Sequence, residues 1–241
     1  MDRARQILMV TLLTLMVGMW SWRLTGRAWA LDYMGRPIAQ TMHYTGAQWL
    51  TRTEREREEG SRKLLKALQL SSGETACDIG AGNGYYTLKM AEAVGPTGRV
   101  YAIDIQPEML QMLQTRATAA GLSNITPILS TPTDPKLPTG ECDVTLLVDV
   151  YHEFSDPEAM LRGLHRSLTP DGEIALAEFR AEDPQIPIKP LHKMSKAQIM
   201  KELQANRFKL VREANNLPWQ HLMFFQRDDG PGVAIAPEPY R

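Results

Sequence analysis

Short apolar runs bounded by turn residues recur along this chain, and between them lie longer stretches with apolar residues at helical spacing. The runs Thr75–Ile79, Val100–Ile105, Ile125–Leu129, Val144–Asp149 and Glu173–Phe179 read as buried strands. Helices are predicted from Tyr85 to Val94, from Pro107 to about Ala120, from Asp156 to Leu168, and from Ser195 to about Asn206. Pro107 sits well at a first helical position, Gly121 is a stop signal, and Ser195 can cap its helix. Phe208–Glu213 and His221–Gln226 read as a closing hairpin. Upstream, Gly35, Pro37 and Gly46 break Leu31–Leu50 into short pieces, and a helix is expected over Thr51–Leu70, capped by Thr51 or Thr53. Leu64, Leu65 and Leu68 mark its apolar face. Its run Glu54-Arg55-Glu56-Arg57-Glu58-Glu59 reads as a solvated face with local ion pairs.

The first strand runs straight into Asp78-Ile79-Gly80-Ala81-Gly82-Asn83-Gly84, a sharp turn opening the helix at Tyr85. Glycine suits a backbone that must turn tightly or let a ligand approach. A dinucleotide site wants Gly-x-Gly-x-x-Gly for its pyrophosphate. Here the third glycine comes one residue early and Tyr85 takes its place, which fits a nucleoside ligand without pyrophosphate. About twenty residues on, Tyr101-Ala102-Ile103-Asp104 ends a second strand in an acid suited to ribose hydroxyls.

These residues resemble the class I S-adenosylmethionine-dependent methyltransferases over roughly Leu64 to Gln226. Asp78, Gly80, Gly82 and Gly84 match the first motif, Asp104 the second, and Asp143–Asp149 a motif of the fourth strand. Ser167–Glu178 resembles the turn and entry into strand five. The resemblance implies a doubly wound, Rossmann-like α/β fold: a mostly parallel seven-stranded sheet, helices on both faces and an antiparallel last strand. It implies S-adenosyl-L-methionine as methyl donor, held by the turn Gly80-Ala81-Gly82 with Gly84 and Tyr85. Asp78 would secure the methionine amino group through the loop, Asp104 the ribose, and Ile105 and Gln106 would lie beside the adenine. Asp149 would face the same cleft. The family's acid after strand three is displaced in Ser130-Thr131-Pro132-Thr133-Asp134, so Asp134, or the hydroxyl of Thr131, is the candidate for the adenine amino group.

Methyl transfer to a hydroxyl needs a base as well as alignment. His152 after strand four, His192 in the long loop after strand five, and His221 opening the last strand all belong to one rim of the sheet and are the candidate catalytic residues. His43 would join them if the N-terminal segment folds over as a lid. Neither Cys-x-x-Cys nor His-Glu-x-x-His occurs, and the histidines lack ligand spacing with Glu153, so no metal is expected. Trp49, Tyr85, Tyr151, Trp219 and Phe224 lie near the rim, with core packing the expectation for all but Tyr85.

With 241 residues, 43% apolar, the chain can bury one substantial core, and its net charge of −1 gives no electrostatic reason to expect nucleic acid. The partner expected is a small-molecule acceptor with oxygen or another heteroatom at the reacting position. Cys77 and Cys142 fall on buried strands and are expected to pack as free thiols. Arg3 and Arg5, the apolar run Ile7–Trp20 and Ala28-Trp29-Ala30 have the layout of a signal peptide, while Arg23 and Arg27 favour a retained anchor. Residues 1–30 are therefore expected to export the protein to the periplasm or to tether it at a membrane within reach of a lipophilic acceptor; cytosolic placement is the alternative, and the donor is a cytosolic metabolite. Residues 31–60 would form a helical lid segment, 61–227 the catalytic domain, and 228–241 a disordered tail. The competing functions are a non-catalytic nucleoside-binding module and, against the glycine spacing, a nicotinamide-dependent oxidoreductase.

Overall fold

The computed structural model describes residues 31–229. The export or anchor signal and nearly all of the expected tail lie outside that range. Among the described residues no helix is long and apolar enough to cross a membrane. Residues 32–37 form a small hairpin, Asp32–Tyr33 against Arg36–Pro37, whose turn is held by the Gly35 amide donating to Asp32 Oδ1 at 3.0 Å.

From residue 38 onward a seven-stranded sheet organises the chain. Its strands are β1 (Thr75–Ile79), β2 (Arg99–Asp104), β3 (Ile125–Leu129), β4 (Cys142–Val148), β5 (Leu168–Phe179), β6 (Phe208–Glu213) and β7 (Gln220–Arg227). They lie in the order β3-β2-β1-β4-β5-β7-β6. The first five are mutually parallel, and β7 enters antiparallel between β5 and β6. The helices are α1 (Arg55–Glu59), α2 (Ser61–Leu68), α3 (Tyr85–Val94), α4 (Pro107–Ala119), α5 (Pro157–Ser167) and α6 (Lys196–Ala205). The chain order reverses between β1 and β4, which makes the carboxyl ends of those strands the place where a crevice must open.

Alternation along the strands divides the core in two. Cys77, Ile79, Tyr101, Ile103 and Leu147 pack on one face against Leu161 and Leu164 of α5 and Ile199 and Leu203 of α6. Ala76, Val100, Leu146 and Ala175 pack on the other against Leu64 and Leu68 of α2 and Met90 and Val94 of α3. Strand β5 reaches back to Leu168, beyond the expected start at Glu173, because Leu168 pairs with Cys142 before a bulge.

The helix expected over Thr51–Leu70 is broken. A 3-10 turn occupies Tyr44–Thr51, α1 follows without a capping side chain at Thr51 or Thr53, and Gly60 at φ 68° separates α1 from α2. A side chain at Gly60 would begin 3.0 Å from Pro218, so the break lets this corner pack closely. The acidic–basic run is likewise no plain solvated face. Arg55 and Glu59 turn inward and are buried, paired at 2.7 Å, while Arg57 stays outside. Asp228, placed in the expected tail, still donates its amide to Arg207 at 2.7 Å.

The cysteines are buried as expected but are not free thiols. Both lie in the core on one face of the sheet, with Cα atoms 6.0 Å apart, and they form a disulfide across 65 residues. Local sequence could not reveal this, since the packing of two strands far apart in the chain decides it. We expect the unfolded, unreduced chain to titrate no free thiol. Closing a loop of that length should be worth about 4 kcal/mol, read as a loss in denaturant unfolding after reduction or in Cys142→Ala.

Candidate functional site

At the carboxyl edge of the sheet, β1 turns through Gly80, Gly82 and Gly84, all at positive φ. The turn is left-handed as expected, but what approaches Gly82 most closely is the chain itself: an added Cβ would lie 2.6 Å from Leu50 Cδ1. Leu50 belongs to a strap, residues 38–59, laced over the strand ends. Ala39 donates its amide to the His152 carbonyl at 3.1 Å. Gln106 donates to the Met42 carbonyl at 2.9 Å and accepts from the Tyr44 amide at 2.8 Å. Asn83 donates to the Ala47 carbonyl at 2.9 Å. Strap and strand ends together enclose a mainly apolar cavity of about 570 Å³, within the size range of sites that engulf a small molecule.

Gly80, Gly82, Asp104, Ile105 and Asp149 line one part of its wall. Asp104 accepts from the Gly82 amide at 2.9 Å and the Gln106 amide at 2.8 Å, so this carboxylate fixes the turn as well as facing the cavity. Burial raises its pKa. Asp149 follows β4 in a left-handed conformation, φ 51°, rare for a residue with a side chain. Gln220 donates to its Oδ2 at 2.6 Å, and its Oδ1 is buried with no hydrogen-bond partner. Burial, then the charges of Glu59 and Glu178, push Asp149 well above the usual carboxylate range. The Arg55 guanidinium also lines the cavity, bonded to Glu59 and to the Leu50 carbonyl at 2.7 Å each and stacked 4.2 Å from the Tyr85 ring centroid.

Other expected residues support the turn from behind. Asp78 accepts from the Thr87 hydroxyl at 2.5 Å, tying β1 to α3, and burial lifts its pKa to about 7. Asp78, Ala81, Gly84 and Tyr85 do not line the cavity; Tyr85 bonds Ser61 at 3.1 Å under the Arg55 side chain. Asp134 is exposed and accepts from the Lys136 amide at 2.9 Å, leaving Ser130, Thr131 and Pro132 on the wall. Of the other aromatic candidates Trp49 lines the cavity, whereas Tyr151 and Phe224 are fully buried in the core.

His152, Glu153 and His192 also line the cavity. His152 stands in a 3-10 turn after β4, fully buried, and its Nδ1 meets Glu178 Oε2 at 2.6 Å. The His152 amide donates to the other Glu178 oxygen at 3.2 Å. A carboxylate there fixes Nδ1–H and leaves Nε2 as a lone pair turned to the cavity, where His192 Nδ1 lies 3.0 Å away. Burial, then the neighbouring His152, lower the pKa of His192; burial lifts that of Glu153 to about 7. His221 does not join this group: it bonds Glu182 at 2.8 Å, outside the cavity wall. His43 also stays out, capping the 3-10 turn through the Thr45 amide at 3.4 Å, although its strap does close over the cavity.

Sequence reading missed Glu178 and Arg55. An acid inside the apolar run Ile174–Phe179 was a usable signal, since a buried carboxylate needs a dedicated partner. Arg55 gave only its spacing of four from Glu59, shared by many exposed pairs.

The methyltransferase-domain family model matches residues 70–226, well over half of the chain. The chain belongs to this methyltransferase family. It is 34% identical over 116 residues to nocamycin O-methyltransferase of Saccharothrix syringae, covering 48% of this chain and 41% of that protein. It is 27% identical over 111 residues to demethylmenaquinone methyltransferase of Geobacillus stearothermophilus, covering 46% and 47%. The chain thus spans less than half the length of these curated relatives. Among solved structures, a SAM-dependent methyltransferase from Aquifex aeolicus superposes with a TM-score of 0.72 at 24% identity, covering 77% of this chain and 98% of that one. At that identity the likeness establishes the fold. The family's methyl donor is S-adenosylmethionine, and the residues present fit it: Asp104 and the turn at Gly80 and Gly82 line the cavity, as does Asp149, whose buried Oδ1 has no hydrogen-bond partner.

Replacing Asp104 by alanine should weaken binding of S-adenosylhomocysteine about ten- to a hundredfold in calorimetric titration. Two backbone amides would lose their acceptor at the same time, so the variant should also unfold about 1–3 kcal/mol more easily.

Proposed function

We propose that this enzyme methylates a hydroxyl oxygen of a small, largely apolar molecule. One observation carries the reading: one mainly apolar cavity is lined both by the strand-end acids Asp104 and Asp149 and by His152 and His192, with Glu178 bonded to His152 from outside the wall. S-adenosylmethionine, when bound, supplies an electrophilic methyl group on sulfur. Asp149 Oδ1 would receive the donor's ammonium, Asp104 the ribose hydroxyls, and Ile105 with Ser130 and Thr131 would flank the adenine. Met109, Met160, Phe179 and Ile188 offer apolar walls for an acceptor. Beside the histidines the acceptor's hydroxyl would pass its proton to the His152–His192 imidazole pair as its oxygen bonds to the methyl carbon and the sulfur–carbon bond breaks, leaving a neutral thioether. Glu178 is a positioning residue, since it orients the His152 ring from outside the cavity wall. The relatives named for nocamycin and demethylmenaquinone support a small-molecule acceptor.

Product formation tests this directly: the purified chain, given S-adenosylmethionine and a panel of hydroxylated aromatic and polyketide-like compounds, should release S-adenosylhomocysteine with at least one of them. Glu178→Gln should lower kcat about 10²- to 10⁴-fold while S-adenosylhomocysteine affinity stays within about twofold. An unchanged kcat would remove the histidine end from the chemistry.

The reading extends to location. The N-terminal pattern and a buried disulfide both suit an oxidising compartment outside the cytosol. Fractionation with N-terminal sequencing should find the mature start near Leu31 in an extracytoplasmic fraction, or an intact Met1 at the membrane. Intact protein in the soluble cytosol would refute this placement.

A further inference from the structure

The three groups at the acceptor end of the cavity converge more closely than separate bases require. His152 Nε2, His192 Nδ1 and Glu153 Oε1 lie within 4.8 Å of one another. Their separations are 3.0 Å between the imidazoles and 3.9 and 3.8 Å from each imidazole to the carboxylate. A tetrahedral ion with bonds of roughly 2.1 Å holds its ligands about 3.4 Å apart, so shifts of a few tenths of an ångström would complete such a site.

Three further features point the same way. Glu178 accepts from His152 Nδ1, the arrangement in which an outer carboxylate orients a ligating imidazole and raises its basicity. Glu153 is nearly buried, and among the described residues no lysine or arginine pairs with it: its ion-pair contacts are the two histidines. All three residues also line the cavity, so a ligand bound there would lie beside the cluster.

We propose that His152, Glu153 and His192 form a binding site for a divalent transition cation, best suited to zinc or cobalt. Two imidazole nitrogens and one carboxylate oxygen are a borderline donor set that favours such ions over magnesium or calcium, which prefer all-oxygen shells. The positions left open would take the acceptor's oxygen; that use of the site rests on the methyl-transfer reading, whereas the binding of the cation does not. Coordination would acidify the acceptor's hydroxyl, which releases its proton to solvent. The oxygen then forms the bond to the methyl carbon as the sulfur–carbon bond breaks, and the sulfur leaves as a neutral thioether. Sequence spacing concealed the site because two ligands are adjacent and the third lies forty residues on, beyond β5.

The full chain, stripped with chelator and kept free of donor, should bind one equivalent of Zn²⁺ in calorimetric titration at micromolar Kd or tighter. Co²⁺ should give a visible ligand-field band of low-symmetry, four- or five-coordinate character. His192→Ala, at a partly accessible position, and the isosteric Glu153→Gln should both fold and are expected to weaken Zn²⁺ binding about a hundredfold or more, and Glu178→Gln about ten- to a hundredfold. S-adenosylhomocysteine affinity, measured separately without metal, should be unaffected in all three, which keeps the donor site's standing apart from the cation's. Absence of saturable Zn²⁺ and Co²⁺ binding by the wild-type chain would overturn the proposal. So would binding that His192→Ala and Glu153→Gln leave unchanged.

Discussion

The carboxyl edge of the sheet gathers Asp78, Asp104, Asp149, Glu59, Glu153 and Glu178 in a space from which water is largely excluded, and the Arg55 guanidinium is the fixed positive charge at its centre. Arg55 pairs with Glu59, and its charge favours the ionised forms of Asp78 and Asp149. Burying so many carboxylates with only Arg55 and, at Glu59, Arg52 among them is costly, and the cost appears as raised pKa values at Asp78, Asp104, Asp149 and Glu153. An edge in this condition favours cationic ligands. A donor that carries a sulfonium and an ammonium would meet that preference, as would a divalent cation at His152, Glu153 and His192.

Arg55 also explains why the strap belongs to the site. It arrives on α1, stacks over Tyr85 and Tyr86, and holds the Leu50 carbonyl, so the segment covering the cavity is anchored by the same group that balances its charge. Gln106 and Asn83, from the turns after β2 and β1, bind the strap backbone from below. Nucleoside end and cover are therefore mechanically one unit. Leu50 fills the space above Gly82, which explains glycine there as much as ligand approach does.

The strand–turn–helix of the first motif, Asp104 at the end of β2 and the hairpin that closes the sheet were legible because each is set by a few neighbouring residues. Apolar periodicity selects strand or helix, and glycines at positive φ mark the turn. The sequence also brought His152 and His192 to the correct rim, since a doubly wound sheet sends those segments to one edge. It went wrong where burial decides. Arg55 and Glu59 look like any exposed ion pair until the strap is folded over them, and His221 shares the rim but faces Glu182.

What the sequence determined by itself was the order of elements, the glycine turn after β1 and the family, all encoded within short windows of chain. Tertiary structure alone decided the Cys77–Cys142 bond, the pairing of His152 with Glu178, and the meeting of His152, Glu153 and His192. Each of these needs groups tens of residues apart to reach bonding distance. The neighbouring places of β1, β4 and β5 in the sheet allow the first two, and the return of the loop after β5 over the strand ends brings His192 to the third. Those contacts depend on the packing of the whole sheet, which no local pattern of residues specifies.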